Sequence, residues 1–207
     1  MPPPRTREIT GVPAGSSPPA PPAAIMAPMR EGLIISALGR DQPGIVDRIS
    51  GVIFNQGCNL EDSRMAILGG EFAFMVLVGG SGDRLAEVRR RVEAICGELE
   101  LTALFKATLI GASGPEARER IPYRVTAVAM DHPGIVHRIT HVLAQHGVNV
   151  ASLETRLSNA PVTGAPIFSL EMEAQVPADL PIARLRETLR QLSDAENIDL
   201  EMRAVRS

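Results

Sequence analysis

The stretch Asp41-Gln-Pro-Gly-Ile-Val-Asp-Arg-Ile49 returns as Asp131-His-Pro-Gly-Ile-Val-His-Arg-Ile139, and this doubled run decides the fold. Sliding the sequence against itself by 90 residues superposes residues 41–59 on residues 131–149 with ten of nineteen positions identical. The shared residues comprise turn formers and an apolar set at helical spacing, so both the punctuation and the buried face are repeated. Two copies of a module of roughly 80 residues fit the chain, which is too few for a solenoid.

Working outward from the first run, residues 33–39 read as a short apolar strand. Asp41 is expected to cap a helix, with Pro43 in its first turn, where a missing N–H costs nothing. Ile45, Ile49, Val52 and Ile53 keep helical spacing, and Gly57 is expected to end the helix in a left-handed conformation. Residues 58–68 and 72–78 read as strands around a Gly69-Gly70 hairpin turn. Leu85, Val88, Val92, Ile95 and Leu99 step by three and four, marking a second amphipathic helix, and residues 101–110 close the module as a strand. The second copy follows: strand 123–130, helix 133–146, strands 148–157 and 167–176, helix 182–192, strand 198–205. The order βαββαβ, twice, predicts an α+β chain of two ferredoxin-like units, each a four-stranded antiparallel sheet with two helices on one face. The uncovered faces or edges then need a partner, and the two sheets are expected to associate, within the chain or in a homodimer.

The boundaries expected are a Pro/Ala-rich tail over residues 1–30, a first domain over 31–110, a linker over 111–120 and a second domain over 121–207. Nine prolines within the first 28 residues argue for a disordered, polyproline-like tail. Met26 and Met29 stand where the folded pattern begins, and either is read as a candidate start codon. With 44% apolar residues the chain can bury a core, yet aromatics are only 3%, so aliphatic side chains must fill it and aromatic platforms for nucleobases are unlikely on composition. A net charge of -3 offers no basic footprint for nucleic acid or anionic lipid. No segment has the apolar length of a membrane span. Cys58 and Cys96 are expected to be buried free thiols in a reducing compartment.

Two places could carry chemistry. The turn Asp41-Gln42-Pro43-Gly44, with its counterpart Asp131-His132-Pro133-Gly134, feeds a helix N-terminus, where unpaired N–H groups and the helix dipole can hold a carboxylate or phosphate. The alternative is a helix start and nothing more. Asn59 and Asn149, after the same helix in each copy, offer both a donor and an acceptor, or simply cap a turn. Arg64 and Arg156 could pair a ligand carboxylate, although surface charge is the plainer role. His137 and His141 have the spacing of metal ligands, but no carboxylate or Cys completes a set, so neither metal nor cofactor is expected. Arg89-Arg90-Arg91 reads as a solvated helix face with i,i+4 pairing. Gly79-Gly-Ser-Gly82 lacks the ending of a phosphate loop and reads as a turn into the second helix.

The DxPGIVxRI turn and helix, followed by Gly-x-Asn and the strand Asn59-Leu-Glu-Asp-Ser-Arg64, resemble the ACT domain, and two such units span residues 33–205. Residues 57–72 and 160–168 further resemble the bacterial glycine cleavage system transcriptional repressor family of tandem-ACT proteins. The resemblance implies a cytoplasmic regulatory protein that senses a small amino acid, glycine first among candidates, and acts through a regulatory partner protein without touching nucleic acid or membrane. It implies no catalysis. It marks Asp41, Gln42, Gly44 and Asn59, and Asp131, His132, Gly134 and Asn149, as ligand-binding. The copies differ: Gln42 and Asp47 become His132 and His137, residues are expected to be inserted between Asn149 and Arg156, and the next turn is longer. Two other readings stand beside it, a relative of the ACT part of formyltetrahydrofolate deformylase without its hydrolase domain, and an interaction module with no ligand.

Overall fold

The computed structural model describes residues 29–111, 119–161 and 163–205. The proline-rich tail and most of the expected linker lie outside them. The chain divides into two compact units at Ala112/Ser113. The first holds β1 (Arg30–Arg40), α1 (Ile45–Asn55), β2 (Asn59–Leu68), β3 (Glu71–Gly79), α2 (Gly82–Glu98) and β4 (Thr102–Ile110). The second holds β5 (Arg120–Met130), α3 (Ile135–Gln145), β6 (Asn149–Asn159), β7 (Pro166–Pro177), α4 (Ile182–Glu196) and β8 (Asp199–Ala204). The antiparallel sheets run β2-β3-β1-β4 and β6-β7-β5-β8. This is the α+β architecture expected from the repeat, twice over.

Local chemistry explains most boundaries. Gly57 and Gly147 adopt positive φ, and each ends its helix with two capping bonds: Gly57 N–H to Phe54 O and Cys58 N–H to Ile53 O, Gly147 N–H to Ala144 O and Val148 N–H to Leu143 O. Gly69 and Gly70, both left-handed, join β2 to β3 by a two-residue turn. The helix starts differ from expectation. Neither Asp41 nor Asp131 caps a helix; α1 and α3 begin at Ile45 and Ile135, behind Gly44 (φ 92) and Gly134 (φ 100). The Asp-x-Pro segment is spent on the turn itself, and Asp41 N–H and Asp131 N–H bond across it to Gly70 O and Pro166 O.

Each unit has its own core between sheet and helices. In the first, Leu33 and Ile35 of β1 and Phe74, Val76 and Val78 of β3 meet Ile49, Ile53, Val88 and Val92 of the helices. In the second, Val125, Leu170, Met172 and Val176 meet Ile139, Leu143, Leu185 and Leu189. Among the described residues no polar or charged side chain is buried, so no desolvation penalty offsets these contacts. Cys96 is buried and Cys58 half-buried, both free; burial pushes both thiols up, with Glu93 reinforcing it at Cys96 and Arg84 opposing it at Cys58.

The faces away from the helices diverge. Strand register places residues in rows across the first sheet: Asp62, Leu77, Ile34, Lys106; then Arg64, Met75, Ser36, Leu104; then Ala66, Ala73, Leu38, Thr102. The matching rows of the second sheet are Ser152, Glu173, Arg124, Arg203; Glu154, Glu171, Thr126, Glu201; and Arg156, Ser169, Val128, Asp199. The first face is mainly aliphatic. On the second, Arg124 pairs with Glu171, Arg156 with Glu154 and Arg203 with Glu201, the pattern of a solvated surface.

The same rows correct one expectation. β2 and β6 each carry a bulge at the same place, between Leu60 and Asp62 and between Val150 and Ser152. Beyond it Arg64 stands opposite Met75, and its counterpart opposite Glu171 is Glu154, not Arg156. No residues are inserted between Asn149 and Arg156; the extra length lies in the hairpin, where residues 160–165 replace Gly69-Gly70.

Candidate functional site

The turn between β1 and α1 ends on Gly44, whose left-handed backbone an L side chain adopts only with strain. A Cβ there would meet nothing within 4 Å, so the approach to the helix N-terminus is open. No side chain caps α1 or α3, and the first N–H groups of any α-helix lack partners within it. The helix dipole adds positive potential at the same point, so each turn can receive an anionic oxygen. Asp41, Pro43, Asp131 and Pro133 are exposed around it.

The two corners differ in charge. At the first, Gln42 Nε2 donates to Leu99 O at 3.1 Å, tying the turn to the end of α2, and Asp47 puts a negative charge into the first turn of the helix. At the second, His132 faces its own neighbour, Nδ1 lying 3.3 Å from Pro133 O, and the position of Asp47 is taken by exposed His137. The Arg138 guanidinium comes within 3.4 Å of the point where a Cβ on Gly134 would stand. An anion at the second corner is therefore spared the Asp47 charge and lies closer to a guanidinium than at the first.

Asn59 and Asn149 are not part of these corners. Asn59 pairs with Gly79, which pairs with Gly32 at the beginning of β1, whereas Asp41 follows the end of that strand. The helix between them runs back along the sheet, leaving turn and Asn on the order of 30 Å apart along β1. Asn149, opposite Gln175, stands in the same relation to Asp131. Both amides are engaged where they are. Asn59 hydrogen-bonds Glu61, and together with an ion pair from Arg30 at 3.0 Å this holds the Glu61 carboxyl below its usual range, the Arg30 contact contributing most. Asn149 Nδ2 donates to Gln175 Oε1 at 3.1 Å. Within one unit, no ligand the size of an amino acid touches both the turn and the Asn.

The remaining candidates resolve into surface chemistry. Arg64 is exposed and pairs with Asp62 at 2.5 Å. Arg90 and Arg91 pair with Glu87, as their spacing predicts, while Arg89 leaves the pattern and lies over the Phe105 ring. His137 and His141 stack at 5.8 Å, and His141 Nε2 engages Gln145. A hollow of about 460 Å³ lies between β1, α2 and β4, lined by Leu33, Leu85, Ala86, Arg89 and Leu109 among others. It is far from the turn, at the other end of β1.

Sequence reasoning did not find the work of the motif's Arg. Arg48 ion-pairs with Glu98, and Arg138 with Glu196 at 2.7 Å; each Glu is the last residue of the second helix of its unit. The Arg thus latches the two helices beside the turn. The available signal was the presence of an Arg at the same place in both copies, with a Glu ending each second helix.

Comparison with known families matches residues 31–106 and, separately, residues 123–192 to the ACT domain. The chain is 32% identical over 164 residues to the glycine cleavage system transcriptional repressor of Escherichia coli strain K12, covering 77% of this chain and 83% of that protein. Among solved structures, a protein of unknown function from Galdieria sulphuraria aligns with a TM-score of 0.72 and 27% identity over 86% of this chain and 100% of its own. A crystal structure assigned as a glycine cleavage system transcriptional repressor aligns with a TM-score of 0.63 over 87% of this chain and 100% of its own; at 23% identity the likeness is one of fold.

Proposed function

The chain belongs to the ACT-domain family, as a tandem-ACT protein of the glycine cleavage system transcriptional repressor type, and we propose on that premise that it senses a small amino acid and relays the binding to a partner protein. The observation that carries the reading is the helix start behind Gly44 and Gly134: uncapped, preceded by left-handed glycine, and present twice. It is a seat for the ligand's carboxylate. The second corner is the stronger of the two, because the Arg138 guanidinium lies beside Gly134 and no carboxylate stands where Asp47 opens the first helix. Since turn and Asn lie at opposite ends of a unit, the ammonium is met by groups from another module, and in this reading a second copy of the chain supplies them.

Glycine is the first candidate, because its carboxylate and ammonium are all that the turn needs to recognise. The output is regulatory rather than catalytic, and it is exerted in the cytoplasm. With a net charge of -3 the chain lacks the basic surface that duplex binding requires, so control of expression passes through a partner. No helix among the described residues is long and apolar enough to cross a membrane.

Titration with glycine, serine and alanine, read by calorimetry and thermal shift, tests this. A ligand at 100 times its Kd stabilises the folded state by about 2.7 kcal/mol. Heat of binding and a raised Tm with one of them are expected; none with any of them sinks the sensor reading. One observation favours a ligand-free interaction module instead, namely that Asn59 and Asn149 are already occupied by Glu61 and Gln175. The same titration separates the two.

A further inference from the structure

The open face of the first sheet is a contiguous apolar surface with no helix over it. Leu104 is 73% exposed, Leu38 53% and Met75 50%. Three rows across four strands and a fourth of Leu68, Glu71 and Arg40 across three, at about 4.8 Å per strand and about 6.7 Å per row, give a face of roughly 500 Å². Aliphatic residues hold eight of its fifteen positions, and two such faces together reach the roughly 1,000 Å² at which a specific interface begins.

We propose that this face is a self-association surface: a second copy of the chain lays the same face upon it, about a two-fold axis running parallel to the strands. Such an axis exchanges β2 with β4 and β3 with β1 and keeps each row on itself. Asp62 and Lys106 end the same row, so each Lys106 comes to lie over the partner's Asp62, twice per dimer. Arg40 and Glu71 are also register partners, and the axis stacks them crosswise in the same way. Sizes complement as well at two of the three central contacts: Met75 falls on Ser36 and Leu38 on Ala73, while Leu77 meets Ile34. Large on small is what close packing of two faces needs. Aligned sheets cross at about 30°, which displaces edge partners by a few ångström, within reach of Lys and Arg stems.

The alternatives lack this match. An axis perpendicular to the strands would set Arg64 against Arg64 and leave Lys106 over Thr102, whereas the parallel axis lays the Arg64 stem along the partner's Leu104 and adds Lys106 to the Asp62–Arg64 pair. A partner's second sheet fits less well, since its open face carries Glu154, Glu171 and Glu201 in one row, and stacking it on aliphatic rows would strip those charges of water. Lys106 is also the single lysine of the chain, and among the described residues it has no ion-pair partner.

This surface makes concrete the second copy invoked in the proposed function, but its test is independent of any ligand. Sedimentation equilibrium of the full chain from about 1 to 200 µM is expected to show a reversible monomer–dimer equilibrium in the micromolar range typical of small interfaces. Leu104→Glu, at an exposed site that leaves the core intact by circular dichroism, is expected to weaken it at least tenfold. Lys106→Asp and Asp62→Lys are each expected to weaken it several-fold, and their combination to restore it to within about threefold. Carbodiimide coupling of mixed heavy and light chains is expected to join Lys106 to Asp62 between chains. A monomer throughout the range, a dimer indifferent to Leu104→Glu, or coupling of Lys106 to the second unit of its own chain would each overturn the proposal. Failure of every amino acid to bind would leave these outcomes unchanged.

Discussion

The two units share strand order, helix caps, the bulge and the Arg–Glu latch, yet on their open faces they are opposites. Ile34, Leu77, Met75 and Leu104 in the first stand where Arg124, Glu173, Glu171 and Glu201 stand in the second. At the turns they differ too, the first corner carrying Asp47 where the second has His137, and the second holding a guanidinium close to its glycine. The parts that fold each unit are shared, while the parts facing outward divide between an apolar surface in one and a corner without the Asp47 carboxylate in the other. In the proposed function this is a division of labour, the first unit associating and the second sensing.

That comparison can be broken at its cores. Ile49→Ala and Ile139→Ala remove equivalent buried side chains, and each is expected to cost about 2–5 kcal/mol in its own unit. Hydrogen exchange read unit by unit should show each loss confined to its own core; loss spread equally over both units would defeat the picture of two separate ones. The corners come next. Ala at Gly44 or Gly134 places an L residue at positive φ and is expected to cost about 1–2 kcal/mol in either unit by denaturant melts. Amino-acid affinity should fall at least tenfold for Gly134→Ala and much less for Gly44→Ala, and the reverse order would reassign the sensing corner.

The latches should matter less. Both Arg–Glu pairs are partly exposed, so Arg48→Ala and Arg138→Ala are each expected to cost under about 1 kcal/mol by chemical denaturation. Arg138→Ala alone should also weaken amino-acid binding in calorimetry. The smallest difference lies in acid titration of the second helices. Hydrogen bonds from Arg90 and then Arg91 hold the Glu87 carboxyl down to about 2 in α2, whereas in α4 Glu187 is lowered by Arg190 and Gln191. A folded pKa below the unfolded one, near 4.3, means that the stabilisation is complete above that value and is lost as pH falls through about 2. Carboxyl NMR titration should find Glu87 the last of the two to protonate, and Glu87→Gln should abolish its part of the acid dependence.

What could be read in advance was what period and punctuation encode. Alternation in residues 72–78, the three-and-four steps from Leu85 to Leu99, and Gly57 and Gly69-Gly70 each act within a few residues, and each element stands where they put it. The helix start was misread because Asp-x-Pro satisfies the rules for a cap equally well, and only the backbone shows that Gly44 takes that place. The Arg48–Glu98 pair joins residues 50 apart, a distance local pattern does not span. Turn and Asn looked like one site because they flank one helix; the direction of that helix along the sheet separates them. The apolar rows were invisible for a related reason, since a row takes one residue from each of four strands and exists only once register is known.

The bulge and the long hairpin, finally, say where such a chain can change length. Inside a ladder one residue gained or lost turns every following side chain to the opposite face, so single-codon changes there exchange core for surface. Glu61 lies outside the ladder, and so do residues 160–165, and at neither place does added length disturb the alternation on either side. These are the open positions of the reading frame of the fold: length can change there one codon at a time, and the two hairpins do differ in length, while the strands around them accept substitution only.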